Sequence, residues 1–127
     1  MSIKQKIVGV YYIGYEQVEL VLREDYGGEF YATPEVGKIA RIKIGADYEN
    51  FSEVVEVLLH EALEFVMFRE GCRLEPSNNR TNDQGKYIFH MTHAEFADVS
   101  AKTAECLTDA LPDLGKAWKK WKNKRNG

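Results

Sequence analysis

Residues 50–70 carry apolar side chains at a helical spacing, and this pattern constrains the fold more than any other feature of the sequence. The apolar positions recur three or four residues apart for about five turns; they are Phe51, Val54, Val55, Leu58, Leu59, Ala62, Phe65 and Val66. Gly71 follows, and glycine often ends helices because it adopts a left-handed conformation without strain. We therefore predict a long amphipathic helix over residues 50–70.

The residues before this helix follow the period of two that is typical of β-strands. Four segments are strand-like, namely 7–12, 16–23, 29–33 and 38–45. The connections between them are short, which favours antiparallel neighbours. We therefore predict an α+β fold, in which an antiparallel sheet of three or four N-terminal strands packs against two long helices. The length of 127 residues and the 44% hydrophobic content suit a single domain over residues 1–127.

The second long helix is predicted to begin at Thr92. Thr92 and Glu95 stand three residues apart, as a capping box requires. An apolar stripe continues to about Leu111, where Pro112 is expected to interrupt the helix. A short basic helix should then occupy residues 112–127. Between the two long helices, residues 75–86 are rich in turn formers and predict a surface loop, and residues 86–90 predict a short extended piece.

The stretch LLHEALEF, residues 58–65, holds the candidate chemistry. His60 and Glu64 are four residues apart, so on a helix they are neighbours that could share one metal ion. Glu61 could accept a proton from a water molecule on that ion. Two ligands are too few, and a third would have to come from elsewhere. The other histidines in the chain are His90 and His93.

The segment from Lys38 to Phe65 resembles the core of small zincin-type metallopeptidases. In that family an edge strand, here ARIKIG, leads through a short loop, here ADYENFSE, into the helix that carries the metal motif, here VVEVLLHEALEF. The chain also looks like the minimal zincin-like proteins of phages and mobile elements, which often read His-Glu-x-x-Glu. In those proteins a later helix begins with histidine, similar to THAEFADVSAKTAECLTDAL.

The resemblance covers roughly residues 15–111 and implies a zinc-dependent hydrolase or peptidase acting on a peptide or amide. It implies that His60, Glu64 and His93 bind the zinc and that Glu61 is the general base. The chain departs from the usual motif at Glu64, where the family has a second histidine. Two histidines and a carboxylate also match open non-haem iron sites, so iron is the alternative metal.

Two alternatives remain open from the residues themselves. On a helical wheel, His60 and Glu64 lie nearly opposite the apolar stripe, so they could be an ordinary solvated pair. The site would then be vestigial in a non-enzymatic protein that binds a host or virion protein. His90 is expected to end the extended piece rather than to bind metal.

The remaining features concern compartment and partners. Cys72 and Cys106 lack a Cys-x-x-Cys spacing, and no apolar run approaches the roughly 18 residues that cross a bilayer. We expect a cytoplasmic protein with reduced thiols and no membrane contact. Residues 116–127 carry six basic and no acidic residues, although the whole chain has a net charge of −3. We expect Trp118 and Trp121 to pack on the core and the lysines to face water, rather than a nucleic-acid site.

Overall fold

The structure is a computed structural model that describes residues 4–32, 35–74 and 88–126. The N-terminal part forms four strands, which are β1 (Gln5–Ile13), β2 (Glu16–Arg23), β3 (Gly28–Tyr31) and β4 (Ala40–Gly45). They are followed by helix α1 (Phe51–Arg69), the short strands β5 (Arg73–Leu74) and β6 (Ile88–Phe89), and helix α2 (His93–Asn126). The α+β class is confirmed, with a four-stranded sheet and two long helices.

The sheet is mixed, so the prediction of an antiparallel sheet was wrong. The strand order is β1-β2-β4-β3. β1 pairs antiparallel with β2, and β3 pairs antiparallel with β4, but β2 and β4 run parallel. The short connection after β2 therefore does not close a hairpin between β2 and β3; it carries the chain past β4 to the edge of the sheet.

Gly45 explains how this crossing is possible. The connection passes over the carboxyl end of β4, where Gly45 donates its N–H to the Gly27 carbonyl at 2.7 Å and Asp47 donates to the Asp25 carbonyl at 3.0 Å. A Cβ atom on Gly45 would overlap the backbone of Asp25. The absence of a side chain at this position lets two backbone segments pack directly on each other.

Both helices pack on the same face of the sheet and enclose one hydrophobic core. They run antiparallel: Phe51, at the start of α1, contacts Trp118 with ring centroids 5.5 Å apart, and Glu70, just after α1, forms an ion pair with Lys102. The largest fully buried side chains come from the sheet and from both helices; they include Leu22, Ile42, Ile44, Leu58, Phe65 and Leu114.

Helix α2 continues through Pro112, so the predicted interruption and the separate helix over residues 112–127 were wrong. Proline lacks the N–H that would bond to the Thr108 carbonyl, which normally weakens a helix. Here Ala110 and Leu114, which lie two residues before and two residues after the proline, are fully buried in the core. Tyr11 also donates a hydrogen bond to Asp113 at 2.7 Å. Packing on both sides of Pro112 therefore outweighs the lost hydrogen bond.

The ends of the helices match the sequence signals. Thr92 and Glu95 form the predicted capping box, with backbone-to-side-chain distances of 2.9 and 3.1 Å. The predicted loop over residues 75–86 lies outside the described residues. Of the predicted extended piece, Ile88 and Phe89 form β6, which pairs with β5.

Two further findings concern the cysteines and the helices. Cys72 and Cys106 are buried and free of disulfides, and burial raises the pKa of the Cys106 thiol to about 11. Within the described ranges, neither helix combines the length and the apolar composition needed to span a bilayer.

The crossing at Gly45 yields a stability prediction. Gly45→Ala should lower the free energy of unfolding by about 1–3 kcal/mol, because the methyl group overlaps backbone that cannot move aside. Gly115→Ala is the matched control. Gly115 lies inside α2, and a Cβ atom there would lie at an ordinary contact distance of 3.6 Å from the Phe51 side chain. This substitution should raise stability by about 0.5–1 kcal/mol. Urea unfolding of both variants measures the difference, and equal stabilities would contradict this account of the crossing.

Candidate metal centre

Helix α1 presents the candidate residues from its middle turns. Asn50 precedes the helix and donates its backbone N–H to Glu53 at 3.1 Å, which fixes the first turn. The buried stripe consists of Val54, Leu58, Glu61, Ala62, Phe65 and Val66. It packs on β3 and β4, where Phe30 meets Phe65 edge to face at 5.8 Å between ring centroids. This packing sets the rotation of α1 about its axis.

Glu61 is buried, which the helical wheel of residues 50–70 did not predict. Glu61 is seven residues after Val54, three after Leu58 and four before Phe65, so it belongs to the inward-facing stripe. Its side chain is 9% exposed, whereas that of Glu64 is 17% and that of His60 is 66% exposed. The three residues therefore span the boundary between the core and the surface.

Gly28 makes room for Glu61 beneath the helix. A Cβ atom built on Gly28 would lie 2.9 Å from Cγ of Glu61 and 2.7 Å from Cγ1 of Val57, both closer than real Cβ contacts. The glycine thus lets α1 approach β3, which is an edge strand of the sheet. The role of Gly28 could be suspected from the Gly-Gly pair in the sequence, but its contact with Glu61 required the structure.

The side chains of His60, Glu61 and Glu64 converge on one point. Nε2 of His60 lies 2.8 Å from Oε2 of Glu64 and 3.8 Å from Oε2 of Glu61. One donor atom from each of the three residues falls within 4.8 Å of the others. Two carboxylates beside one imidazole concentrate acceptor atoms and negative charge, which a divalent cation would neutralise.

The donor set fits a divalent metal ion. Zinc binds imidazole nitrogen and carboxylate oxygen at about 2.0–2.2 Å, so neighbouring ligand atoms in a tetrahedral site stand roughly 3.4 Å apart. The distances of 2.8 and 3.8 Å bracket this value. One nitrogen and two oxygen donors also suit iron or manganese. The exposed side of His60 would leave room for water or a substrate.

His93 is not brought to this cluster. It is exposed at the first residue of α2, beyond the Glu70–Lys102 ion pair that marks where the two helices align. His60 lies ten residues before Glu70, and His93 lies nine residues before Lys102, in the opposite direction along the antiparallel pair. At a rise of about 1.5 Å per residue, the two histidines stand roughly 28 Å apart along the helix axes.

His90 is also remote from the cluster. It is exposed, and its backbone N–H donates to the Cys72 carbonyl at 3.0 Å, directly after β6. This is the strand-end position that the sequence predicted for it. Among the described residues, the donors grouped around His60 are therefore those of Glu61 and Glu64.

No protein family, no curated protein and no solved structure matches the chain.

The exposure of His60 predicts how the site contributes to stability without metal. His60→Ala should change the free energy of unfolding by no more than about 0.5 kcal/mol, because an exposed pair four residues apart on a helix contributes about 0.2–0.5 kcal/mol. Leu58→Ala, two residues away and fully buried, should cost about 2–5 kcal/mol. Urea unfolding in the presence of a chelator measures both. A cost at His60 similar to that at Leu58 would show that the imidazole has a structural role.

Proposed function

We propose that this protein is a zinc-dependent hydrolase-like metalloprotein whose ion is held on α1 by His60 and Glu64, with Glu61 beside them. The observation that supports the proposal is the convergence of the three donor atoms within 4.8 Å on adjacent turns of one helix. The chain also resembles zincin-type peptidases, and His60, Glu61 and Glu64 are among the residues that carry this resemblance. The geometry supports binding of a divalent cation more directly than it supports catalysis.

The three residues have different parts in this proposal. His60 is the most exposed, so its Nε2 atom would hold the ion at the surface. Glu64, held at 2.8 Å from that nitrogen, would bind from the same side of the helix. Zinc, when bound, lowers the pKa of water and polarises a carbonyl group.

Glu61 has one of two roles, either third metal ligand or proton acceptor. The question arises because His93 lies too far away to be the third ligand. If the ion takes three protein ligands, as catalytic zinc sites usually do, Glu61 is the third. If His60 and Glu64 suffice, Glu61 remains the proton acceptor that the sequence suggested. The absence of a side chain at Gly28 leaves the space that Glu61 occupies, and the same space serves either role.

A peptide or amide is the substrate class that this proposal favours. β3 lies at the edge of the four-stranded sheet in the described part of the chain, and its Gly28 contacts Glu61. An extended peptide can add to such an edge through backbone hydrogen bonds. A peptide bound there would run past the metal cluster.

A non-enzymatic role is the second candidate, and two observations favour it. His60 and Glu64 already satisfy each other at 2.8 Å, so the pair is stable without an ion. β1 also exposes Ile7, Val10 and Tyr12, whose side chains are large and apolar. In this alternative the cluster is vestigial, and a protein partner binds elsewhere on the surface.

Zinc binding tests the proposal directly. Zinc at about 100 times its dissociation constant should raise the free energy of unfolding by about 2.7 kcal/mol. His60→Ala and Glu64→Gln should abolish this increase, because each removes one donor. Glu105→Gln is the matched control, since Glu105 is an exposed helical glutamate on α2 outside the cluster. Thermal unfolding with and without zinc, and metal analysis of the purified protein, provide the measurements; a wild type that binds no zinc would favour the vestigial alternative.

Glu61→Gln separates the two roles of Glu61. As proton acceptor, Glu61 can be replaced with little change in zinc affinity, while hydrolysis of a fluorogenic peptide library falls by about 10²–10⁴-fold. As third ligand, its replacement lowers zinc affinity and hydrolysis together. If the zinc-loaded wild type hydrolyses peptides no faster than Glu61→Gln does, the enzymatic part of the proposal is contradicted. The proposal of a metal site would still stand.

A further inference from the structure

A basic groove lies between the start of β1 and the end of α2, and its lining includes none of His60, Glu61 and Glu64. Its lining includes Lys4 and Lys6 from β1 and the segment before it, Lys120, Trp121 and Lys124 from α2, and Glu24. The groove is open and has a volume of about 920 Å³. That is near the upper end of the roughly 300–1,000 Å³ of ordinary ligand sites, so it is large enough for part of a polymer.

The groove carries a local excess of positive charge. Four lysines and one glutamate give it +3, on a chain whose net charge is −3. None of the four lysines forms an ion pair with a described residue, whereas Lys122 is engaged by the Glu49 carbonyl at 3.4 Å and by the ring of Trp118. The ammonium groups of these four lysines are therefore available to bind an anion.

Simple helix and strand chemistry explains only part of this arrangement. Lysines near the end of a helix are favoured by the helix dipole, and lysines on an edge strand discourage pairing with other chains. Neither effect requires Lys4 and Lys6 to line the same groove as Lys120 and Lys124. Collecting like charges from two distant segments costs free energy that Glu24 offsets only in part, and a bound anion would offset the rest.

Trp121 adds a second recognition element. The expected packing of Trp118 and Trp121 against the core is confirmed. Nε1 of Trp118 donates to the Ala46 carbonyl at 3.1 Å, and its ring packs on Phe51. The part of Trp121 that stays exposed lines the groove, whereas its Nε1 is buried and has no hydrogen-bond partner among the described residues. An aromatic ring beside unpaired lysines is the combination used to bind single-stranded nucleic acids.

We infer that this groove binds single-stranded nucleic acid, with Lys4, Lys6, Lys120 and Lys124 on the phosphates and Trp121 against the bases. The sequence alone favoured a solvated basic tail, and it gave no sign that Lys4 and Lys6, more than 100 residues away, would join it. The fold supplies the missing observation by placing both segments on one groove. This function is independent of the proposed metal site.

The test is the salt dependence of binding to a short fluorescein-labelled oligothymidylate, measured by fluorescence anisotropy with a chelator present. Four phosphate contacts on a single strand predict that the affinity of the wild type falls about 50-fold between about 50 and 200 mM salt. The double variant Lys120→Gln/Lys124→Gln should bind more weakly at the lower salt concentration, and its affinity should fall only about 7-fold over the same range.

The matched control is Lys116→Gln/Lys119→Gln, which removes the same charge from exposed positions of α2 outside the groove lining. It should retain the affinity and the salt dependence of the wild type. Binding should also quench tryptophan fluorescence, and Trp121→Phe should remove most of the quenching. The inference is overturned if the wild type does not bind the oligothymidylate at about 50 mM salt, if the control pair weakens binding as much as the groove pair, or if phosphatidylglycerol vesicles are bound instead.

Discussion

The packing of α1 on β3 and β4 is the interaction on which the rest of the structure depends. Phe65 contacts Phe30 from the helix side, and Gly28 allows the helix to approach the edge strand closely. This contact fixes the rotation of α1, so that Glu61 turns inward while His60 turns outward. A rotation of one residue position, about 100°, would leave the three donors together but would change which of them is buried. The burial of Glu61 beside an exposed His60 is therefore a consequence of how α1 packs on the sheet.

The sequence predicted the parts of the fold that depend on local patterns. The period of the apolar residues located α1 to within one residue at each end, and the Thr92–Glu95 capping box located the start of α2. The strand order could not be predicted in this way, because it depends on a crossing that only Gly45 permits. The continuation of α2 through Pro112 depended on burial of Ala110 and Leu114, which is a tertiary effect that overrides local preference.

The same distinction between local patterns and tertiary packing applies to the candidate site. His60 and Glu64 were found from their spacing of four residues, which is a local property of any helix. The burial of Glu61 could have been recognised from its register with Val54, Leu58 and Phe65. The position of His93 could not, since its distance from His60 is set by the antiparallel alignment of α1 and α2. Ligand sets that combine two elements require knowledge of how those elements pack.

The parallel pairing of β2 with β4 has a consequence for the order in which the chain assembles. β4 is inserted between two strands that precede it in sequence, so it cannot join the sheet by extending a hairpin from β2. The β3–β4 hairpin is the local unit here, and it must dock onto β2 after closing a longer loop, which is a slow kind of step in folding. Since α1 packs on this hairpin, Glu61 would become buried only late in assembly, once β3 and β4 are in place, although its neighbours on the helix are fixed by the helix alone.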